Sequence, residues 1–199
     1  QGTRLSSAAG YTYLWDTRVA GLDPLTSYKL RFSQDFAGLG GDVKTVTSPA
    51  LAGVESNAWR EEVTLRAEIE AGGVYSYGDY SSWILDRFRG GGKVRGFEPN
   101  GIGPRDLSAP NQDALGGKYY WAARAEAQFP LGLPEEYGIS GGVFADVGSL
   151  WGLDNTLGAE AVRGNRVACN LRIDSGAFRS YAGIVDDRRE LHAERGEPS

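Results

Sequence analysis

The stretch from Trp59 to Ala71, WREEVTLRAEIEA, alternates apolar and charged side chains with a period of two. From Val63 onward, one set of alternate positions carries only apolar side chains, those of Val63, Leu65, Ala67, Ile69 and Ala71. Successive side chains of a β-strand point to opposite faces of the sheet, whereas a helix repeats every 3.6 residues. The stretch therefore predicts a strand with one apolar face and one highly charged face.

Similar alternation predicts further strands on both sides of this stretch. Clear patterns cover Thr26–Phe36, Tyr119–Phe129 and Ile139–Val147, a weaker one covers Ser7–Asp16, and a short one covers Val43–Thr47. Turn-forming residues separate the patterns and predict turns at Gly21–Pro24, Gly38–Asp42, Ser48–Asn57 and Leu131–Gly138. Residues 77–117 have little periodicity, and their aromatic and charged side chains favour an ordered, functional loop.

The composition excludes several classes of protein. The 199 residues include 29 glycines, 10 tyrosines and 5 tryptophans, which favours a β-rich chain with many turns over a disordered one. Cys169 and His192 are the only cysteine and histidine, so disulfides, thiol zinc clusters and serine–histidine catalysis are excluded. The net charge is −5 and no basic block occurs, which argues against nucleic-acid binding. We predict no catalytic residue, no metal site and no cofactor.

Two glycine and carboxylate patterns have simpler explanations than catalysis. Gly90–Lys93 resembles a phosphate-binding loop, but its leading glycine is absent and Val94 replaces the required serine or threonine. Glu68 and Glu70 could suggest a glycosidase pair, but they share one charged strand face with Arg66. That face is more simply the polar wall of a barrel.

Strand length and aromatic placement favour a membrane environment. No run of about 18 apolar residues occurs, so no transmembrane helix is predicted, but a transmembrane β-strand needs only about 10 alternating residues. Several predicted strands are that long, and aromatic side chains lie near strand ends at Trp15, Trp59, Tyr119, Trp121 and Phe129. The periodicity alone leaves a soluble β-sandwich open as the alternative.

A glycine-rich segment and its continuation carry a family resemblance. Arg87–Phe97 reads RFRGGGKVRGF and is followed by Gly101-Ile102-Gly103-Pro104-Arg105-Asp106. Further landmarks follow in order at Gly116-Gly117, Glu126–Pro130 (EAQFP) and Phe144–Gly148 (FADVG). Together they resemble the Omp85 superfamily and, through the continuation, its BamA-type branch; the resemblance covers residues 7–151.

The resemblance implies an all-β fold, a partial antiparallel transmembrane β-barrel in the bacterial outer membrane. Residues 1–151 would supply about six strands of a sixteen-stranded barrel, and residues 77–117 would be a long loop that folds back into the lumen. The family pattern ends near Trp151, and residues 162–199 are rich in charge. We therefore expect residues 152–199 to be an atypical, poorly ordered tail.

The resemblance also implies an internal lock, the loop motif Val94, Arg95, Gly96 and Phe97. In the family this arginine pairs with acidic residues on the barrel wall, and the matching positions here are Glu126 and Asp146. Strand parity separately places both carboxylates on the polar face, where a guanidinium fork can reach two strands at once. Gly96 would allow a tight turn and Phe97 would exclude water. The alternative is that Arg95 is a solvated loop charge.

The function that the resemblance implies is not enzymatic. Such a protein folds other β-barrel proteins and inserts them into the outer membrane. Its partners would be unfolded outer-membrane β-barrel substrates, outer-membrane lipids and accessory lipoproteins, with no cofactor and no nucleic acid. The alternatives are a sister Omp85 transporter, either a two-partner secretion pore or a translocation-assembly protein, and a soluble β-sandwich binding module.

Overall fold

The computed structural model describes residues 5–18, 25–58, 62–95, 100–131, 140–156, 162–163, 166–175, 178–179 and 182–186. The regular elements in these ranges are strands: β1 (Ala8–Asp16), β2 (Thr26–Ala37), β3 (Thr45–Ala58), β4 (Val63–Ser76), β5 (Arg105–Asp106), β6 (Tyr119–Pro130), β7 (Ser140–Trp151), β8 (Val162–Arg163), β9 (Arg166–Ser175), β10 (Phe178–Arg179) and β11 (Ala182–Asp186). Over the same ranges, no helix has the length and apolar character needed to cross a membrane.

The long strands form one antiparallel sheet. Its order is β1-β2-β3-β4-β6-β7-β9, and both β10 and β11 pair with β9. Within the described ranges β1 pairs only with β2, so the sheet does not close on itself. One continuous sheet is part of a β-barrel and differs from the two packed sheets of a β-sandwich. The predicted all-β, antiparallel partial barrel is therefore confirmed.

The register gives the sheet two chemically different faces. Directly opposed residues of an antiparallel pair share a face, and here Glu68 lies opposite Arg124, which in turn lies opposite Asp146. On the other face a row of small residues crosses the same strands at Ala67, Ala125 and Ala145. The charged face is the one that the long loop covers, and we call it the inner face.

The described residues of the long loop, 77–95 and 100–118, pack against the inner face through a small apolar core. The buried side chains are those of Val94, Ile102, Tyr120, Ala122 and Leu150, with Phe88 packed against them. Small residues of the strands make room for the loop. A Cβ atom on Gly148 would lie 2.8 Å from the Val94 side chain, and one on Gly72 would lie 3.0 Å from the ring of Phe88.

The third strand differs most from the prediction. Residues 48–57 were expected to form a turn after a short strand at 43–47, but β3 runs without a break from Thr45 to Ala58. Its serine, proline, alanine and glycine residues favour turns in isolation, but β3 pairs along its whole length with β4. Tertiary pairing therefore overrides the local preference.

Pro49 explains how β3 tolerates a proline at its centre. The ladder to β4 continues through the pair Pro49 and Gly72, whereas the ladder to β2 has no partners between Phe32–Ala50 and Asp35–Thr47. Proline has no amide hydrogen to donate, so it interrupts the ladder on the side where that hydrogen would point. The interruption is confined to one side of the strand.

The sheet continues past Trp151, where the family pattern was expected to end. β9 pairs with β7 from Gly141–Ser175 to Leu150–Arg166, whereas the expected division at residue 151 and the poor order of residues 152–199 stay predictions. The polar residues of β9 fit the alternation of a barrel strand, because Asn170 and Arg172 pair in register with Asp146 and Phe144. Residues 187–199, like the predicted turns at 21–24 and 132–138, lie outside the described residues.

Candidate functional site

Arg95 joins the long loop to two neighbouring strands. Its Nε donates to Oδ2 of Asp146 at 2.7 Å, and its Nη2 donates to Oδ1 of the same carboxylate at 2.8 Å. Its Nη1 donates to Oε2 of Glu126 at 2.6 Å, and its backbone N–H reaches Asp146 Oδ2 at 3.0 Å. The guanidinium fork therefore binds one carboxylate with two nitrogens and a second carboxylate with the third.

The register of β6 and β7 brings these carboxylates together. Asp146 lies opposite Arg124, and Glu126 lies opposite Phe144, so the two acidic residues are diagonal neighbours on the inner face. Between them, the guanidinium carbon of Arg95 lies 3.9 Å from the centre of the Phe144 ring. A cation over an aromatic face is attracted by the ring's negative surface, so Phe144 adds a stacking contact to the ion pairs.

Burial differs sharply within this cluster. The side chain of Asp146 is 0% exposed, whereas those of Arg95 and Glu126 are 39% and 30% exposed. A buried carboxylate is costly unless a charge and hydrogen bonds compensate it, and Arg95 supplies both to Asp146. The hydrogen bonds to Asp146, and then that to Glu126, raise the pKa of the Arg95 guanidinium well above its ordinary value, although burial alone would lower it. Arg95 is therefore a permanent cation.

A second arginine holds the loop just before Arg95. Arg124 on β6 donates to the backbone carbonyl of Lys93 from Nε at 3.2 Å and from Nη2 at 2.8 Å. It also forms ion pairs with Glu68 and, at 3.1 Å, with Glu70. The Lys93 ammonium group in turn lies 3.0 Å from Glu70 and 4.1 Å from the centre of the Tyr120 ring. The charged residues of the inner face thus bind two nearby loop residues, Lys93 and Arg95.

The structure describes Val94 and Arg95 of the loop motif but not the two residues that follow. Val94 is 3% exposed and lies in the apolar core between loop and sheet. Gly96 and Phe97 lie outside the described residues. Their expected roles in a tight turn and in excluding water stay predictions.

The continuation motif folds the loop onto itself and onto β7. Gly103 has a φ of +103°, and a Cβ atom there would lie 2.7 Å from Leu150. Both the backbone conformation and the close approach to β7 therefore require glycine. Arg105 donates to the carbonyls of Asn100 at 3.0 Å and Gln112 at 3.1 Å. These two residues have φ values of 60° and 47°, so one guanidinium holds both left-handed turns.

The remaining residues of the continuation motif stabilise turns within the loop. The carbonyl of Pro104 accepts a hydrogen bond from the Leu115 amide at 3.0 Å. Oδ1 of Asp106 accepts from the Ser108 amide at 2.8 Å and from its hydroxyl at 2.5 Å, as in an Asx turn. Gly101 lies between the left-handed residue Asn100 and the buried Ile102.

Two functional candidates have no counterpart among the predicted site residues. Phe144 could have been found, because an apolar residue at an inner-face position is an exception to the alternation. Arg87 has a fully buried side chain within the loop. The sequence could not have identified Arg87, because a loop residue lacks the period-two alternation that places a strand residue on one face.

Comparisons with known proteins agree with this fold. The Omp85 superfamily domain matches residues 1–182. The outer membrane protein assembly factor BamA of Neorickettsia risticii (strain Illinois) is 35% identical over 155 residues, which cover 78% of this chain and 21% of that protein. The sorting and assembly machinery component 50 homolog B of Xenopus laevis is 34% identical over 134 residues, 65% of this chain and 27% of that protein.

A solved structure extends the likeness to the fold. The crystal structure of BamA from Haemophilus ducreyi lacking POTRA domains 1–3 superposes with a TM-score of 0.61 and 18% identity, over 91% of this chain and 40% of that chain. The chain spans between 21% and 27% of the length of the two curated relatives. The matched domain, the relatives and the shared barrel architecture together show that this chain belongs to the Omp85 superfamily.

Proposed function

We propose that this chain is part of an assembly factor that folds other β-barrel proteins and inserts them into the bacterial outer membrane. The observation that carries the proposal is the bridge from Arg95 to Asp146 and Glu126, which ties an inward-packed loop to two barrel strands. Two relatives of similar sequence are named as assembly components, which supports assembly over the transport function of sister families.

The physical problem of assembly explains why such a lock would be useful. A strand with unpaired backbone groups is costly in hydrocarbon, so a new barrel needs an edge on which its strands can pair. A barrel that opens at one edge must keep its shape elsewhere. The ion pairs of Arg95 connect the loop to β6 and β7, and the ion pair of Lys93 with Glu70 connects it to β4. We propose that these pairs keep this part of the wall rigid.

The proposed activity needs no bond-breaking chemistry. The protein would act through strand pairing and through the lipid around it, and its partners would be unfolded β-barrel proteins, outer-membrane lipids and accessory lipoproteins. The charged inner face is occupied by arginine–carboxylate pairs, which satisfy one another. Such pairs suit a structural lock.

Complementation tests the proposal in cells whose own copy of the protein is depleted. Arg95→Ala and Asp146→Ala are compared with Arg89→Gln, which changes an exposed arginine of the same loop. At equal protein levels, we expect the first two variants to lower the amount of folded outer-membrane β-barrel proteins, measured by their heat-dependent mobility on gels. Normal assembly in depleted cells that receive no complementing copy would overturn the proposal, whereas normal assembly by Arg95→Ala would overturn only the lock. Loss of secretion with normal assembly would favour a transporter instead.

A further inference from the structure

The base of the long loop is held by a further arginine, Arg87, which belongs to the loop itself and whose side chain is 0% exposed. Its Nε donates to Oγ of Ser82 at 2.9 Å, and its Nη1 donates to the carbonyl of Leu115 at 3.3 Å. Its Nη2 lies 2.8 Å from the Ser82 carbonyl, 3.0 Å from Oδ1 of Asp154, and 2.9 and 3.0 Å from the two oxygens of Asn155. Every nitrogen of the buried guanidinium therefore has an acceptor.

Asp154 is the anionic centre of the same cluster. It accepts hydrogen bonds from the amide of Ser82 at 2.8 Å and from its hydroxyl at 2.5 Å. It also accepts from Lys118 and from the hydroxyl of Ser76, both at 3.3 Å. Ser76 ends β4 and Lys118 immediately precedes β6, so both ends of the loop meet the segment after β7 at one carboxylate. We call Ser82, Arg87, Asp154 and Asn155 the base clamp.

The base clamp is separate from the Arg95 network. The hydrogen bonds of Arg87 lead to the loop and to the segment after β7, whereas those of Arg95 lead to the strand residues Glu126 and Asp146. A backbone ladder adds a second tie to the same segment, because Arg105–Asp106 in β5 pairs with Val162–Arg163 in β8. The segment after β7 therefore holds the loop at its base and again at its continuation motif.

The chain between the two arginines explains why the base must be fixed. Gly90, Gly91 and Gly92 lie between them, and three consecutive glycines give the loop many accessible backbone conformations. Because ordering such a segment costs entropy, anchoring its start reduces the number of positions that Arg95 can sample. A buried ion pair adds little stability over apolar residues, but it can select one arrangement of the chain.

We propose that the base clamp positions the loop so that Arg95 meets its two carboxylates, and that it does so by fastening the loop to the segment after β7. The inference rests on the proposed role of Arg95 as the lock. Arginine is required because its fork reaches three backbone carbonyls, a side-chain amide, a hydroxyl and a carboxylate at once. Lysine keeps the charge but offers a single nitrogen.

Spin-label distances in the intact, detergent-solubilised protein test the clamp. The single cysteine, Cys169, is replaced by serine, and labels are attached at Asn111 in the loop and Leu39 in the turn after β2, both exposed. We expect Arg87→Lys and Asp154→Asn to broaden the distance distribution about twofold, since they release a locally ordered segment. Arg89→Gln, two residues from Arg87 and exposed, is the matched control and leaves the distribution unchanged.

A milder variant and a second measurement keep the test decisive. Asn155→Ala removes one hydrogen bond to Arg87 and one to Ser82 but keeps the ion pair with Asp154, so it serves if Arg87→Lys does not fold. In a folded clamp variant, we expect the coupling between Arg95 and Asp146 in a double-mutant cycle to fall about twofold. A purely structural role of Arg87 would leave that coupling unchanged, and this result would overturn the inference.

The clamp and the lock can fail separately. If Arg95→Ala reduces assembly while folded Asp154→Asn and Asn155→Ala leave both distances and coupling unchanged, the clamp is wrong and the proposed function stands. If depletion of the protein leaves assembly unchanged, the proposed function is wrong whatever the clamp variants do. Broadened distances together with reduced coupling support the clamp.

Discussion

Replacing Arg95 with alanine should destabilise the barrel mainly through the carboxylate that it leaves behind. Asp146 is 0% exposed and would lose the hydrogen bonds from the guanidinium. Removing one partner of a buried ion pair costs about 3–5 kcal/mol. Because 39% of the Arg95 side chain is exposed, solvent screens part of the interaction, and we expect about 3 kcal/mol.

The partner variants should cost less, and their ranking follows from exposure. Asp146→Ala leaves an arginine that still contacts Glu126 and reaches water, so we expect about 2 kcal/mol. Glu126→Ala removes a carboxylate that is 30% exposed, and exposed pairs contribute only about 0–1 kcal/mol. The double variant of Arg95 and Asp146 no longer contains a buried, unpaired charge. It should therefore cost no more than Asp146→Ala, about 2 kcal/mol, which corresponds to a coupling of about 3 kcal/mol.

The assay is urea unfolding of the intact protein in lipid vesicles, with the folded fraction read from gel mobility before heating. Arg95→Lys serves as a control for charge, because it keeps the cation but loses the fork and the stacking on Phe144. We expect its cost to lie between those of the wild type and Arg95→Ala. Costs of Arg95→Ala and Asp146→Ala that add within about 0.5 kcal/mol would refute the direct pairing, as would a larger effect at Glu126 than at Asp146.

Two further predictions concern the loop. Gly103→Ala combines a positive φ with a Cβ atom 2.7 Å from Leu150, so we expect a loss of about 1–3 kcal/mol in the same unfolding assay. Gly91→Ala, whose Cβ atom would meet nothing closer than 3.8 Å, should change little, and equal effects would contradict the steric argument. Burial alone would raise the pKa of Asp154, but the hydrogen bonds from Ser82 hold it well below the usual value of 3.8. Asp154 should therefore stabilise the fold above that value and lose its contribution as the pH falls further. In unfolding titrations between pH 6 and pH 2, we expect the difference in stability between the wild type and Asp154→Asn to shrink below about pH 4. A constant difference between the variant and the wild type across that range would contradict this.

The strand positions of the site could be predicted from the sequence because a β-strand has a strict period of two. Once Tyr119–Phe129 is taken as a strand, Glu126 must share a face with Arg124, whatever the rest of the fold is. The same reasoning applies to Asp146 in β7. The prediction that each carboxylate contacts Arg95 needed the family resemblance, because the position of a loop residue does not follow from the pairing register of the strands.

Other features depend on pairing between strands that lie far apart in the sequence, so no short stretch of sequence predicts them. Pro49 and its small neighbours look like a turn until β4 is placed beside them, and the strand after Trp151 looks like a tail until β7 supplies its partner. The base clamp is the extreme case. Arg87 and Asp154 are 67 residues apart, and each is an ordinary charged residue in a loop.

The two residue pairs that are missing between β2 and β3 at Pro49 weaken the sheet at that point. On the outer face, the amide of Gln34 spans the gap to the hydroxyl of Ser48 at 3.2 Å, and its oxygen accepts from the phenol of Tyr11 at 3.0 Å. Side-chain bonds bend more easily than a continuous backbone ladder, so we expect the sheet to fold along this line. A local change in the angle between β2 and β3 would leave the loop in place, because the loop binds β4, β6 and β7.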